Sequence, residues 1–318
     1  MSRDLGASSA AGNIVPLFRA GADPAQNPTL AHVLVGALLR ARRLAAGLNQ
    51  TEAARKVGFS NPKLSRLERA EIVPKRRDVE DLAKLYNLSP RDEAQLIMLA
   101  TMAKERTWWA RAGVQVPPFM AHLVGLEPAA SALWTYELKL VPGLLQTPAY
   151  THALMTGGQR KYDPAVVEER LALRHGRQER YFADLPSSVF LLDESVLLRF
   201  MRGPGVMAGQ IDHLLTLGED PRIEIRFVPF TSDPAVAGNI GSLTRLAFAA
   251  STGLPDLIYL ENDEAGRYFA KGEQPDEKEK DGPSFDHYQT TMITLLAEAA
   301  SREESVKMLQ VARRRLSA

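Results

Sequence analysis

The feature that most constrains this chain is the punctuation between Leu30 and Glu105, where short helical stretches are each opened by a capping residue and closed by a breaker. Val33, Leu34 and Leu38 open an apolar stripe at 3.6-residue spacing. Gly47 follows as a C-terminal cap, so a first helix is predicted over about 31–46. Asn49 stands three residues before Glu52, a capping box with Asn in the Ser/Thr role, and Gly58 closes this second helix after about two turns. Ser60 or Asn61 caps a third helix ending near Ala70, with Pro62 in its first turn, where a missing N–H costs nothing. Pro74 precedes a fourth helix at roughly 76–86, and Ser89-Pro90 starts a fifth that runs to about Lys104.

Charge is segregated along the chain. Residues 30–115 hold 16 Lys+Arg and 9 Asp+Glu, a net of +7, whereas residues 116–318 hold 21 and 27, a net of −6. A basic helical segment suits a polyanion partner, although solvated helical surfaces carry similar excesses. The 318 residues contain no cysteine, which removes disulfides, thiolate metal sites and thiol nucleophiles together and fits a reducing compartment. No apolar run is long enough for a membrane span and no signal-peptide core is visible, so a cytoplasmic protein without a membrane partner is expected.

The second and third helices with their short turn have the geometry that lays a helix in a DNA major groove. At 100° per residue, Leu64 and Leu67 share one face of the third helix. Pro62, Ser65, Arg66 and Arg69 form the opposite face, flanked by Asn61 and Lys63. These side chains suit base reading: Arg bonds guanine O6 and N7 bidentately, Asn does the same to adenine, and each good pair discriminates by roughly 1–3 kcal/mol. Lys75, Arg76 and Arg77 either reach the DNA backbone or form a solvated helix start.

The stretch Leu48 to Glu71, LNQTEAARKVGFSNPKLSRLERAE, resembles the helix-turn-helix of the Xre/Cro-repressor family, with Leu48, Gln50, Glu52, Ala54, Lys56, Gly58, Ser60, Ser65, Arg66, Glu68 and Arg69 on the family pattern. The resemblance implies that Gln50 touches a phosphate, that Asn61, Pro62, Lys63 and Arg66 face bases or backbone, and that Arg43 and Glu68 form an internal ion pair. Ala70 departs from the glycine usual at its position; a left-handed cap is costlier there, so the turn from Glu71 to Pro74 is expected to differ in shape.

Beyond Trp108-Trp109 the texture changes to Pro- and Gly-punctuated segments. Strands are predicted at Val189–Leu192, Ile223–Val228, Leu243–Phe248 and Leu257–Leu260, and helices at 164–182, 206–217, 285–299 and 302–315. Gly203-Pro204-Gly205 reads as a turn, and the charged run from Lys271 to Gly282 as a solvated loop. The expected organisation is a tail at 1–29, rich in Ala, Gly, Ser, Pro and Asn with one apolar patch (Ile14, Val15, Leu17, Phe18), then an all-α five-helix head at 30–106 and a mixed α/β effector or partner domain at 107–318. From Thr107 to Thr156, the chain resembles the start of an uncharacterised domain that follows an Xre-type head in a large actinobacterial regulator family. Its hallmark is Val141-Pro142-Gly143-Leu144-Leu145-Gln146-Thr147. Further matches are the Arg-rich helix Arg170–Arg180, Phe190–Glu194, Val228-Pro229-Phe230, Tyr259-Leu260-Glu261 and Ser301–Ser305. That resemblance implies an antitoxin-like or WhiJ-type transcriptional regulator, often encoded beside a small partner protein that modulates DNA binding.

The second domain offers few routes to catalysis. His122, His152, His175, His213 and His287 lack HExxH or HxH spacing, and there is no GxSxG elbow, Walker loop or dinucleotide fingerprint. Asp193-Glu194, Glu261, Asp263 and Glu264 lie near expected strand ends, where they could cap helices, bind an effector or serve a nucleotide-processing enzyme, the alternative to a binding module. No metal or cofactor is expected. Trp108, Trp109 and Trp134, with Gln146 and Glu261, are the candidates for an effector or partner site, though linker packing also explains the tryptophans. The expected function is binding of a double-stranded operator, an inverted repeat, by a homodimeric repressor, because one recognition helix contacts too few base pairs for useful specificity.

Overall fold

The side chain of Asn27 accepts the Leu30 N–H (3.0 Å) and opens the first helix, α1 (Pro28–Ala45), with Pro28 placed where its missing N–H is harmless. This start falls about three residues ahead of the predicted one, so the last residues of the expected tail belong to the helix. The computed structural model describes residues 27–157, 162–199, 204–233, 240–252, 254–262, 265–272 and 282–316. The tail up to residue 26 with its apolar patch, Gly203, Asp263, Glu264 and most of the charged run 271–282 lie outside the described residues.

The head continues with α2 (Gln50–Lys56), α3 (Asn61–Glu68), α4 (Arg76–Leu85) and α5 (Pro90–Met102). Asn49 accepts the Glu52 N–H (2.9 Å) while Glu52 accepts the Asn49 N–H (3.0 Å), a reciprocal box. Ser60, rather than Asn61, caps α3 by accepting the Lys63 N–H. Each of the first four helices closes in the same way, with a left-handed residue at Gly47, Gly58, Ala70 and Asn87. After α3 the Glu71 N–H donates to Arg66 O (2.9 Å) and the Ala70 N–H to Leu67 O (3.2 Å), the paired bonds of a Schellman cap. Ala70 adopts φ 53° and closes the helix in the left-handed conformation without a glycine, at a local cost of about 1 kcal/mol.

Leu64 joins the core that holds Leu34, Leu39, Ala53 and Leu82, and Leu67 is buried beside it, which turns the opposite face of α3 outward. Burying each leucine stabilises the head by roughly 1.5–3 kcal/mol. The backbones of α1 and α3 approach closely at Gly36, where an added Cβ would lie 2.8 Å from Glu68 O and 2.9 Å from Leu67 O.

Two short helices, α6 (Trp108–Arg111) and α7 (Ala121–Leu126), lead into a six-stranded mixed sheet of order β3-β2-β1-β4-β5-β6. The strands are β1 (Ala132–Glu137), β2 (Ser187–Asp193), β3 (Ile223–Val228), β4 (Ser242–Ala247), β5 (Leu257–Asn262) and β6 (Ala265–Ala270). β1, β2 and β3 are parallel; β4, β5 and β6 continue antiparallel. Helices α8 (Pro148–Gly157), α9 (Pro164–Ala183), α10 (Pro204–Leu217), α11 (Phe285–Glu298) and α12 (Arg302–Arg315) complete the domain. Pro204 and Gly205 open α10 instead of forming the predicted turn, as Pro in a first helical turn permits.

Both sheet faces are covered, which explains the near-continuous apolar run of β2. Val189 and Leu191 face α11 with Tyr136 and Leu295, while Phe190 and Leu192 share the main core with Leu214, Ile225 and Phe227. β1 and the edge strand β6 were not legible in sequence. β1 carries polar Thr135 and Glu137 on one face, and β6 contains Gly266 and Arg267. The head rests on this domain through α1 and α7: Asn27 Nδ2 donates to Gly125 O (2.5 Å), and the apolar core runs continuously from α1 into the sheet.

Candidate nucleic-acid interface

α3 has eight residues, and its cap, core pair and closing turn leave Asn61, Pro62, Arg66 and Arg69 exposed, with Ser65 half-buried between them. Arg69 Nε lies 2.9 Å and Arg66 Nε 3.6 Å from the Glu71 carboxylate, so both cations are held over the end of the helix by one exposed acid. Exposed pairs of this kind contribute at most about 1 kcal/mol and yield readily to a phosphate or a guanine edge.

Lys63 is placed differently. Its Nζ is 2.5 Å from Asp78 Oδ1 at the start of α4 and 3.6 Å from the centroid of Phe59, so it braces α3 against α4 and is partly withdrawn from the exposed face. Lys75, Arg76 and Arg77 are exposed at the N-terminal end of α4. Arg76 pairs with Glu80 (2.8 Å) and Arg77 approaches Asp81 (3.9 Å) along the helix.

Beneath the exposed face lies a buried ion pair. Arg43 Nε and Nη2 donate to the two Glu68 oxygens (2.6 and 2.9 Å), and Arg43 Nη1 donates to Leu48 O (2.9 Å), tying α1, α3 and the turn before α2. The hydrogen bonds to Glu68 raise the Arg43 pKa against the cost of burial, so the cation stays charged. Gln50 joins this network, its Nε2 donating to Glu68 Oε2 (3.1 Å), with its half-buried side chain at the first turn of α2. A phosphate there would compete with Glu68 for the Gln50 amide. Glu71 and Asp78, which set the free charge on α3, were not singled out from sequence. Their signal was their position, within five residues of Arg66 and at the N-terminal end of α4.

The effector candidates of the second domain are spread over two adjoining cavities, an apolar cluster and the opposite face of the sheet. Trp109 packs in an apolar cluster with Val114 and Val124. Trp108 stands edge-on to it (5.5 Å), under the Arg180 guanidinium (4.1 Å), and borders a surface cavity with Arg174 and Gln146. Trp134 lies on the opposite sheet face, packed toward α11. Gln146 is buried and structural: its Nε2 donates to Val141 O (2.7 Å) and its Oε1 accepts from Thr151 Oγ1 (3.0 Å). Two further amides satisfy the same loop, Gln178 Nε2 donating to Gly143 O and Gln146 O, and Gln210 Nε2 donating to Leu145 O. The segment 141–147 is thus a buried loop whose backbone polar groups are met by side chains. Glu261 accepts from Tyr259 Oη (3.3 Å) and lines a second cavity beside α9, which adjoins the first across Gln146 and Arg174. Asp193 caps the turn after β2 by accepting the Ser195 N–H, and Glu194 accepts the Phe230 N–H. Among the described residues no group of three or more His, Asp or Glu is placed to hold a metal ion, and no helix is long and apolar enough to cross a membrane.

Residues 34–96 match a family model described as a helix-turn-helix domain, which makes the head a DNA-binding domain of that type. Residues 120–311 match the model of a domain of unknown function, DUF5753. The chain belongs to the DUF5753 family. The 141–147 loop, the Arg-rich α9 and the whole sheet of this DUF5753 domain fall inside that match. No curated protein and no solved structure matches the chain significantly.

Proposed function

We propose that this protein is a sequence-specific, double-stranded-DNA-binding repressor, in which the DUF5753 domain binds a small partner protein or effector that alters operator affinity. The observation that carries the reading is the face of α3: Asn61, Pro62, Arg66 and Arg69 are exposed while Leu64 and Leu67 fix the helix to the core. Presented to a major groove, Arg66 and Arg69 read guanine edges or phosphates, Asn61 reads adenine, and Lys75 and Arg76 flank the backbone. Gln50 holds a phosphate at the start of α2.

A single eight-residue helix reads too few base pairs, so the active form is a homodimer on an inverted repeat with half-sites about 34 Å apart. The sequence likeness to antitoxin-like, WhiJ-type actinobacterial regulators supports a small protein partner encoded nearby and a cytoplasmic site of action. The reading assigns the protein no catalytic step. Its test is selection of fragments bound by the purified full chain from its own genome at about 150 mM salt, where nonspecific binding is weak. A recurrent inverted repeat is the expected result. Recovery of fragments with no shared sequence, with and without the neighbouring small protein, overturns the reading.

A further inference from the structure

The second domain holds a cavity of about 620 Å³ between α9 and the β1–β4–β5 part of the sheet, roofed by the 141–147 loop. Its volume lies within the range of small-molecule sites, and its walls combine apolar side chains with a few converging polar groups, the composition such sites share. Three arginines at helical spacing, Arg170, Arg174 and Arg177, line it from α9. Two of them are engaged. Arg177 makes two bonds to the buried Glu127 (2.7 and 2.6 Å), and Arg170 lies over the Tyr162 ring at 4.1 Å.

Arg174 makes no hydrogen bond or ion pair with any described residue. Burial, with the neighbouring Arg177, pulls its guanidinium down to about 10, which leaves it charged at neutral pH. Arg174 is half-buried and faces the cavity with its guanidinium donors unbonded, so an anion entering the cavity meets donors ready for charge-assisted hydrogen bonds. The loop is shaped around it: an ideal Cβ at Gly143 would fall 1.6 Å from Arg174 Nη1, so the guanidinium occupies the space that any side chain at 143 would take. That notch is a physical reason for glycine in the VPGLLQT segment.

The acids facing the cavity leave the positive charge in excess. Burial pushes Glu137 up to about 7, against the pull of Ser242 Oγ, which donates to its Oε2 (2.5 Å), and of Arg177 and Arg174; Glu261 adds repulsion. Lys139 also lines the cavity, so four cations face two acids, Glu137 and Glu261. Met120, Leu138, Leu144, Leu154 and Met155 give the wall an apolar side, while Thr135, Ser242 and Thr244 line its sheet side with hydroxyls.

We infer that this cavity binds a small organic anion, whose carboxylate or phosphate group pairs with Arg174 while its apolar body lies against the 141–147 loop and α8. The inference rests on the reading of the DUF5753 domain as an effector domain and gives that effector a chemical class. It also supplies a route to the head. Met120 and Leu123 line the cavity at α7, which packs on α1, and Tyr268 Oη clamps α7 by donating to Phe119 O (2.7 Å) and accepting the Leu123 N–H (3.1 Å).

Calorimetric titration of the full chain with hexanoate, hexyl phosphate, hexan-1-ol and hexylamine tests it, because the four probes differ mainly in head group. At least one anion is expected to bind tenfold or more tightly than the alcohol and the amine, and Arg174→Gln is expected to abolish that preference. Gly143→Ala is expected to do the same by displacing only the far end of the Arg174 side chain; unchanged circular dichroism and operator binding show that the fold survives. Equal affinity for all four probes, no binding up to about 10 mM, or an undiminished preference in both variants overturns the inference. Operator affinity measured with and without the bound anion is a separate readout. An anion that binds without altering it leaves the site standing and removes its regulatory role, whereas selection of an operator with no anion preference removes the site and leaves the DNA reading standing.

Discussion

Arg69 Nε lies 2.9 Å from Glu71 Oε1, so the last cation on the exposed face of α3 is held by a carboxylate just past the end of its own helix. Arg66 approaches the same carboxylate at 3.6 Å. Both pairs are roughly half exposed and weakly held, and on the proposed reading the Glu71 carboxylate competes with DNA for the two arginines. Glu71→Gln is therefore expected to raise affinity for both specific and nonspecific DNA by a few-fold, about 0.5–1 kcal/mol. Fluorescence anisotropy with operator and scrambled duplexes measures it; an unchanged or lowered affinity means that the two arginines do not meet DNA.

The Arg43–Glu68 pair behaves oppositely, because it is buried and bonded through both oxygens. Removing one partner leaves the other charge uncompensated, a loss of about 3–5 kcal/mol. Glu68→Ala should unfold the head at a temperature or denaturant concentration at which wild type is intact, read by the helical signal. Loss below about 1 kcal/mol would mean that the pair is replaceable by water.

Gly36→Ala tests the close packing of α1 on α3. The new Cβ meets backbone oxygens of Leu67 and Glu68, which cannot rotate away, so the helices must separate. A destabilisation of roughly 1–3 kcal/mol should outweigh the gain of about 1 kcal/mol in helix propensity, with weaker operator binding as α3 shifts. Denaturant titration and anisotropy read the two effects.

The helical head was legible because its signals are local. Asn49 with Glu52, Ser60 with Pro62, and the helical spacing of Leu64 and Leu67 each act within a few residues, and all point to the same five helices. The sheet was half legible. β2 and β3 announce themselves by apolar runs, whereas β1 puts Thr135 and Glu137 toward a polar cavity and β6 is an edge strand beginning Ala265-Gly266-Arg267. The cavity was not legible at all: Arg174 and Gly143 stand 31 positions apart, and only the fold brings a guanidinium into the glycine's empty side-chain space. The i, i+4, i+7 spacing of Arg170, Arg174 and Arg177 was the available signal, but spacing alone does not distinguish a cavity wall from a solvated face.

The junction between head and sheet carries a pH dependence. Burial pulls His122 down to about 4, and His32, itself lowered by burial, adds repulsion at a ring separation of 6.3 Å. Tyr268 packs edge-on against His122, and a hydrogen bond to the Ala70 backbone opposes the shift. The folded chain therefore holds His122 neutral where the unfolded chain protonates it. The associated stability is present above about pH 6.5 and is lost as pH falls toward 4. His122→Phe should narrow the stability difference between pH 7 and pH 5 by roughly 2 kcal/mol relative to wild type. Comparing variant with wild type cancels Glu137, which titrates with the opposite sign over a similar range. An equal pH dependence in both proteins would show that His122 is not the titrating group.

The central claim is that the exposed face of α3 reads base sequence, and Arg66→Ala tests it most directly. Its affinity for the selected operator and for every single-base variant of one half-site should be measured by anisotropy beside wild type. The account predicts a loss of roughly 1–3 kcal/mol on the operator, with base preference relaxed at one position per half-site and preserved at the others. Unchanged affinity and selectivity, or a uniform loss with every base preference intact, would contradict it.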